Sequence, residues 1–234
     1  MVSCLLATTR LEAAAPASPD SVRVLADIGV VSASGNSDLT TLSFGQQLVI
    51  GRPAWVVTQD LSIVYSRSDG ATSADQLQTN GRIEHHLGER WGVYATLHYE
   101  RNPLAGISLR MQEGAGVTWA IVAAKPNQLD LAVGATLVQQ RGSVDTTAGF
   151  PAAQAVATFK HGFTDHGFFQ QRLEWIPNFR DATDYRVNSE STVTAPFSRR
   201  LALKLSFMIR YDNMPEPGFD STDRVFTSGL QLSL

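Results

Sequence analysis

Apolar and polar residues alternate with a period of two along this chain from Ser21 onward. Such alternation places successive side chains on opposite faces of a β-strand. In the segment 91–100, the odd positions carry Trp, Val, Ala, Leu and Tyr, and the even positions carry Gly, Tyr, Thr, His and Glu. The segments 129–137 and 201–212 alternate in the same way. Helical periodicity is not sustained anywhere, so the pattern predicts an all-β protein.

Clusters of Gly, Pro, Asn and Asp divide the chain into strand-like segments. The predicted strands span residues 21–34, 39–50, 54–66, 75–87, 91–102, 107–124, 129–141, 152–163, 167–178, 184–196, 201–212 and 223–234. Most are near the roughly 9–11 residues that a tilted strand needs to cross a bilayer. Short connections alternate with mostly longer ones such as 67–74, 142–151 and 213–222. This is typical of outer-membrane proteins. We therefore expect residues 21–234 to form a transmembrane antiparallel up-and-down β-barrel of about 12 strands.

Composition agrees with a barrel and excludes several other classes. Charged residues make up 18% of the chain and the mean hydropathy is -0.08. No apolar run approaches the roughly 18 residues of a membrane-spanning helix. Aromatic residues near strand ends, among them Trp55, Trp91, Trp175 and Tyr211, suit the two interfaces of a bilayer. The net charge of -3 argues against a nucleic-acid partner, which a strongly basic face would bind.

The N-terminal segment 1–20 is interpreted as the remnant of an export signal. It has a poor apolar core and no basic start, but the run Ala13–Ala17 resembles a cleavage region. Cys4 leaves a lipoprotein as the less favoured alternative, since the segment before it is too short for a signal.

The C-terminal segment predicts an interaction with the barrel assembly machinery. Residues 227–234 contain Gly229 and then alternate up to Leu232 and Leu234, like a terminal strand that this machinery recognises, although Leu234 replaces the usual aromatic. Outer-membrane lipid is the other expected partner. An even strand number places both termini on the periplasmic side. The positions expected in the periplasm are Arg52, Glu89, Pro126 and Asp165, and those expected outside are Asp69, Asp145 and Glu216.

Two stretches resemble a known family. The segment 34–42, Ser-Gly-Asn-Ser-Asp-Leu-Thr-Thr-Leu, resembles the first-hairpin motif of the family catalogued as domain of unknown function 481, described as salt-induced outer-membrane proteins. The segment 210–213, Arg-Tyr-Asp-Asn, and the following Pro215, Pro217, Gly218 and Asp223 resemble its penultimate strand and last loop. Ser37 stands where threonine is usual. The resemblance implies an outer-membrane barrel of unsettled activity.

The same alternation predicts a charged lumen. The acidic residues expected to point inward are Asp27, Asp60, Glu84, Glu100, Asp130, Glu174, Glu190 and Asp212. The basic residues expected there are Arg23, Arg82, Arg110, Lys160, Arg172, Arg186, Lys204 and Arg210. A barrel of this size should enclose a narrow, wet passage crowded by these side chains. We expect opposite charges to pair, with little conductance and weak ion selectivity as the result.

No catalytic, cofactor or metal signature stands out, so we expect no enzyme, no cofactor and no metal. The preferred function is a structural or narrow passive pore-like envelope protein related to salt or envelope stress. The alternatives are a barrel enzyme at the external rim, for which Ser108 and His98 are the weak candidates, and a module whose external loops bind a partner protein.

Strand 107–124 contains a conflict. The phase that turns its apolar residues toward lipid also turns Glu113 outward, where a carboxylate is costly. We expect either a β-bulge between Met111 and Val117 or a protein partner that covers this face.

Overall fold

A computed structural model describes residues 20–33, 39–142, 147–164, 167–198, 200–215 and 218–233. Twelve strands account for most of them. Their bounds are β1 Ser21–Ala33, β2 Leu39–Gly51, β3 Trp55–Ser68, β4 Ala71–His86, β5 Trp91–Asn102, β6 Ile107–Ala124, β7 Asn127–Gly142, β8 Thr147–Gly162, β9 Phe168–Pro177, β10 Tyr185–Pro196, β11 Leu201–Asp212 and β12 Thr222–Ser233. A short 3-10 helix, Pro103–Ala105, connects β5 to β6.

Each strand pairs antiparallel with the next, and β1 pairs with β12, so the sheet closes into a barrel. The predicted antiparallel barrel of 12 strands is confirmed. The start of β1 and the end of β12 lie at one end, which we call the terminal end, together with the turns 52–54, 87–90 and 125–126 and the connections from β8 to β9 and from β10 to β11. The opposite end, called the loop end, carries the other connections. No helix in the described part of the chain is long and apolar enough to cross a membrane.

The barrel is polar inside and apolar outside. In β3, the even positions from Val56 to Ser66 are buried, while Trp55, Ile63 and Tyr65 are exposed. Across the described residues, the buried set contains 25 polar or charged residues and 11 apolar ones. An apolar outer face with a polar lumen is the arrangement that a lipid-spanning barrel requires.

The strands are longer than expected at the loop end, and this corrects the predicted connections. The stretch 67–74, expected as a loop, is mostly strand, and the turn between β3 and β4 is the pair Asp69–Gly70. Both residues have positive φ, of 50° and 82°. Strand β8 begins at Thr147, within the stretch expected as a loop. The predicted contrast between short turns and long loops is therefore smaller than the sequence suggested. The hairpin turn 34–38 and the positions 145, 165, 216 and 234 lie outside the described residues.

The bulge expected between Met111 and Val117 is absent, because the pairing of β6 with both neighbours is continuous there. The register shifts of β6 lie at Ile107/Leu109 and Ala120/Val122 instead. Glu113 is exposed on the outer face, in register with Leu97 and Leu137. The strand therefore carries its carboxylate outward without a local distortion.

Candidate functional site

The lumen contains a cavity of about 490 Å³ in its loop-end half. The inward-facing residues of strands β4 to β11 line it, and the loop between β11 and β12 contributes Pro215 and Gly218 to Ser221. Five arginines and five carboxylates belong to the lining, namely Arg82, Arg110, Arg172, Arg186, Arg210, Glu100, Glu174, Asp212, Asp220 and Asp223. The two signs of charge are therefore balanced over the cavity as a whole.

Glu100 on β5 is the centre of one charged cluster, and its side chain is almost fully buried. Its carboxylate accepts hydrogen bonds from Arg110 at 3.2 Å, from Gln78 at 3.0 Å and from Arg210 at 3.1 Å. Strand β11, which carries Arg210, is six strands away from β5 in the barrel of twelve. The ion pair between Arg210 and Glu100 therefore connects opposite walls and obstructs the lumen.

Glu174 on β9 is the centre of a second cluster. Its carboxylate accepts hydrogen bonds from Arg172 at 3.1 and 3.2 Å, from Gln154 at 2.7 Å and from Asn188 at 3.0 Å. Gln154 in turn accepts a long hydrogen bond of 3.5 Å from the Tyr94 hydroxyl. These contacts link strands β5, β8, β9 and β10 around the inner wall.

Arg82 extends this second cluster to β4. Its guanidinium lies 3.9 Å from the centre of the Tyr94 ring and donates to Glu84 at 2.6 and 3.0 Å. Glu84 also accepts a hydrogen bond of 2.8 Å from Thr118. Buried charges are tolerated when such partners satisfy them, so the second cluster stiffens this half of the barrel.

The other predicted lumen charges lie outside the two clusters. Lys204 pairs with Asp27 at 3.4 Å, two strands away, and the strand between them has Gly229 in register with Lys204. Asp60 accepts a hydrogen bond from Gln47, and Glu190 accepts from Thr192 and Ser206. Lys160 lies over the Phe168 ring, Asp130 is half-buried, and Arg23 is exposed. Some of the opposite charges therefore form pairs. These pairs lie along one strand, between neighbouring strands or across the lumen.

The loops at the mouth of the cavity are held together by hydrogen bonds. The Asn213 side-chain amide donates to the Thr183 carbonyl at 2.7 Å, joining the loop after β11 to the loop after β9. The hydroxyl and the amide of Thr183 donate to Asp181 at 2.6 and 2.9 Å. These two donors lower the pKa of the exposed Asp181 carboxyl below its ordinary value.

The two residues named for the enzyme alternative, Ser108 and His98, contact other groups and not each other. The Ser108 hydroxyl donates to the Gly142 carbonyl at 3.1 Å, whereas His98 Nε2 lies 4.0 Å from Glu100 Oε2. Both contacts are structural, and neither forms the hydrogen-bonded pair of nucleophile and base that such chemistry needs.

Sequence reasoning from charge alone missed the neutral side chains of the site. The cavity is also lined by seven amides, Gln78, Asn80, Asn102, Gln112, Gln140, Gln154 and Asn188. Tyr94, one of the even positions of the segment 91–100, also lines the cavity, and its contact with Arg82 is not predicted by the pattern. The signal is present in the sequence, because all eight residues share the parity of the charged positions on their strands.

Comparison with solved structures supports the fold. The structure titled NanC porin has a TM-score of 0.50 and 8% sequence identity, with 91% of this chain and 98% of that chain covered. The translocator domain of the autotransporter NalP from Neisseria meningitidis has a TM-score of 0.45 and 12% identity, covering 91% of this chain and 87% of that one. An anion-selective porin from Comamonas acidovorans has a TM-score of 0.44 and 7% sequence identity, with 92% of this chain and 99% of that chain covered. The first likeness shows that this chain has a porin-like barrel fold.

The family comparison extends over nearly the whole barrel. No curated protein matches the chain. A family model described as "Protein of unknown function, DUF481" matches residues 26–233, from the first strand to the last. The resemblance noted at the two ends of the sequence is therefore confirmed, and this chain belongs to the DUF481 family of proteins of unknown function.

Proposed function

We propose that this protein is a narrow, passive barrel of the bacterial outer membrane that admits small polar solutes from its loop end. A polar lumen within an apolar outer wall supports the location, and the 490 Å³ cavity gives the solutes a place to enter. A relation to salt or envelope stress is part of the proposal and rests on the family resemblance.

The observation that carries the proposal is the ion pair between Arg210 and Glu100, which joins opposite walls of the lumen at 3.1 Å. An ion pair across the lumen at this position leaves the cavity open at the loop end but restricts the diffusion of solutes through the barrel. Because the two signs of charge balance along the lumen, neither small anions nor small cations are strongly preferred.

Planar-bilayer conductance of the refolded chain tests this function. We expect the unmodified protein to show little steady conductance and weak selectivity. Arg210→Ala removes this ion pair and leaves Glu100 with one guanidinium partner fewer. The conductance should therefore rise, and the ion selectivity should shift toward cations. Arg82→Ala and Arg110→Ala should shift the ion selectivity in the same direction.

Arg101→Ala is the matched control, because Arg101 pairs with Asp75 at 2.9 Å on the outer face and does not line the cavity. It should conduct like the unmodified protein. A large, strongly anion-selective conductance in the unmodified protein would contradict the proposal. Equal conductance of Arg210→Ala and the unmodified protein would show that the ion pair does not restrict the passage.

Binding of a partner protein by the loops is the second candidate function. The hydrogen bond between Asn213 and Thr183 favours it, because the two loops present one ordered surface around the mouth. Proximity labelling from this surface in intact cells, with capture of the same protein in repeated experiments, would support it over a solitary pore.

A further inference from the structure

Arg186 is an arginine of the cavity whose charge is not neutralised by a direct contact. It lies on β10, faces the lumen, and has only 7% of its surface exposed. Its register partners are Ile176 on β9 and Asp212 on β11. Within the described residues it has no ion pair or hydrogen bond, and its guanidinium carbon lies 5.6 Å from the centre of the Phe150 ring. The other four arginines of the cavity each donate to a glutamate.

The two carboxylates nearest to Arg186 along the chain and across the sheet are engaged elsewhere. Asp212 Oδ1 accepts a hydrogen bond of 3.0 Å from the Met214 amide. Asp184 Oδ2 accepts one of 2.7 Å from the Asn178 side chain. Both acids thus help to order the loops at the mouth. A buried guanidinium without a partner is costly, so the folded barrel retains a strong preference for an anion at this point.

The remainder of the cavity indicates what the anion should carry. Amides make up more than half of its neutral polar side chains, and they both donate and accept hydrogen bonds and therefore match hydroxyl groups. Apolar residues, among them Ile107, Val156 and Phe219, line the cavity as well and can contact the carbon skeleton of such a ligand. Gln78 Oε1 and Asn80 Nδ2 are buried without a hydrogen-bond partner in the described structure. The volume of 490 Å³ lies within the range of roughly 300–1,000 Å³ that is usual for sites of small molecules.

The number of charges on the ligand is limited by the mouth of the cavity. Asp220 and Asp223 line it together with Asp212, so a multiply charged anion would be repelled by these carboxylates. A single carboxylate also matches the planar fork of one guanidinium, which donates two parallel hydrogen bonds.

We infer that the cavity is a binding site for a small organic acid, whose one carboxylate is held by Arg186 and whose uncharged, hydroxyl-bearing body contacts the amides. The inference rests on the proposed function, since it names the solute class of the same lumen. It is compatible with weak selectivity, because one guanidinium supplies a local site without changing the balance of charge along the passage.

Calorimetric titration of the refolded protein in detergent micelles at low ionic strength tests the site. Three probes of similar size differ in charge: gluconate is negative, glucose is neutral and glucosamine is positive. Gluconate should bind in a 1:1 complex, and the other two should bind much more weakly. Arg186→Gln should weaken gluconate binding on the order of tenfold to a hundredfold, as expected when charge-assisted hydrogen bonds are lost.

Three further variants complete the test. Arg186→Lys keeps the charge without the fork and should retain part of the affinity, which also guards against a folding defect in Arg186→Gln. Asp212→Asn removes the nearest competing carboxylate and should tighten binding. Arg101→Gln on the outer face should bind gluconate like the unmodified protein.

Equal affinity of the unmodified protein and Arg186→Gln for gluconate would overturn the inference, as would equal binding of gluconate and glucose or no binding of gluconate at all. Tighter binding of inorganic phosphate than of gluconate would overturn the assignment to a single carboxylate. Titration in micelles requires no transport, so a barrel that binds gluconate but does not conduct contradicts only the proposed passage. A barrel that conducts but does not bind gluconate contradicts only this site.

Discussion

At the scale of single residues, two glycines decide where the Tyr94 ring can lie. Gly116 on β6 and Gly134 on β7 are in register and face the lumen. A Cβ atom on Gly134 would overlap the Ala115 carbonyl oxygen and lie 2.7 Å from the Tyr94 hydroxyl oxygen. A Cβ atom on Gly116 would overlap the Val133 carbonyl oxygen and lie 2.9 Å from the ring. The ring therefore occupies the space that two side chains would fill, and from there it reaches both Arg82 and Gln154.

The methyl group of Gly134→Ala would meet both the Tyr94 hydroxyl and the Ala115 carbonyl on β6, so the variant should displace the ring, strain the pairing of β6 with β7 and weaken the second cluster. Forcing a methyl group into a packed site costs about 1–3 kcal/mol, so we expect the free energy of unfolding to fall by that amount. The measurement is denaturant unfolding in lipid vesicles, followed by tryptophan fluorescence. Gly149→Ala on β8 is the control, because the nearest atom to a new Cβ there is 3.9 Å away. Equal stability of the two variants would show that Tyr94 does not depend on the glycine pair.

At the scale of elements, β6 shows how a regular strand accommodates an unfavourable residue. Glu113 lies two residues along β6 from Met111, which is in register with Tyr99 on β5. Tyrosine favours the membrane interface, so the Glu113 carboxylate is near the edge of the apolar band rather than at its centre. The cost of a charge on the lipid face falls steeply toward the interface, which explains why the strand needs no bulge here.

Glu113→Leu should therefore stabilise the isolated barrel, on the order of 1 kcal/mol, because a modest desolvation cost is removed. Glu89→Leu in the turn 87–90 is the control and should change the free energy of unfolding very little. Both are measured by unfolding in vesicles. A loss of stability in Glu113→Leu would contradict the lipid-facing position. The alternative that a protein partner covers Glu113 stays a prediction, and a photo-crosslinker at position 113 in native membranes tests it.

At the scale of the whole molecule, closure of the barrel determines that β1 begins and β12 ends at the same end. An even number of strands has this consequence whatever the loop lengths are. Among the described residues, the first and last strands share four register pairs, from Leu25 with Ser233 to Ile28 with Leu230. The ion pair of Lys204 with Asp27 crosses the same seam and adds a side-chain contact to it. The direction of the barrel in the membrane is a separate property, and we expect the terminal end in the periplasm.

Cysteine labelling of intact cells tests this orientation. In a Cys4→Ser background, a cysteine at Asp69 in the loop-end turn should react with an impermeant reagent added outside. A cysteine at Glu89 or Pro126, in turns at the terminal end, should react only after the outer membrane is permeabilised. Labelling at Pro126 but not at Asp69 in intact cells would reverse the assignment.

The class of fold, the number of strands and the parity of each strand follow from the pattern of residues along the chain. The reason is that a barrel in lipid must alternate apolar and polar side chains at every strand, so the information is local and repeats along the chain. The segment 91–100 illustrates this, since its two faces are apolar outside and polar inside, as its pattern predicts. The family followed from short motifs at the two ends.

The contacts among the inward-facing side chains, by contrast, depend on the folded barrel. Arg210 and Glu100 are 110 residues apart, and their contact depends on closure of the sheet, which places β5 and β11 on opposite walls. The strand ends also differ from the prediction, because Asp69 and Gly70 turn the chain while Ala71 and Thr72, within the stretch expected as a loop, pair with Ser68 and Arg67 and extend the ladder. Arg186 appears equivalent to the other lumen arginines in sequence. Its missing partner is a three-dimensional property, because the acids near it bind groups that only the folded loops bring to them.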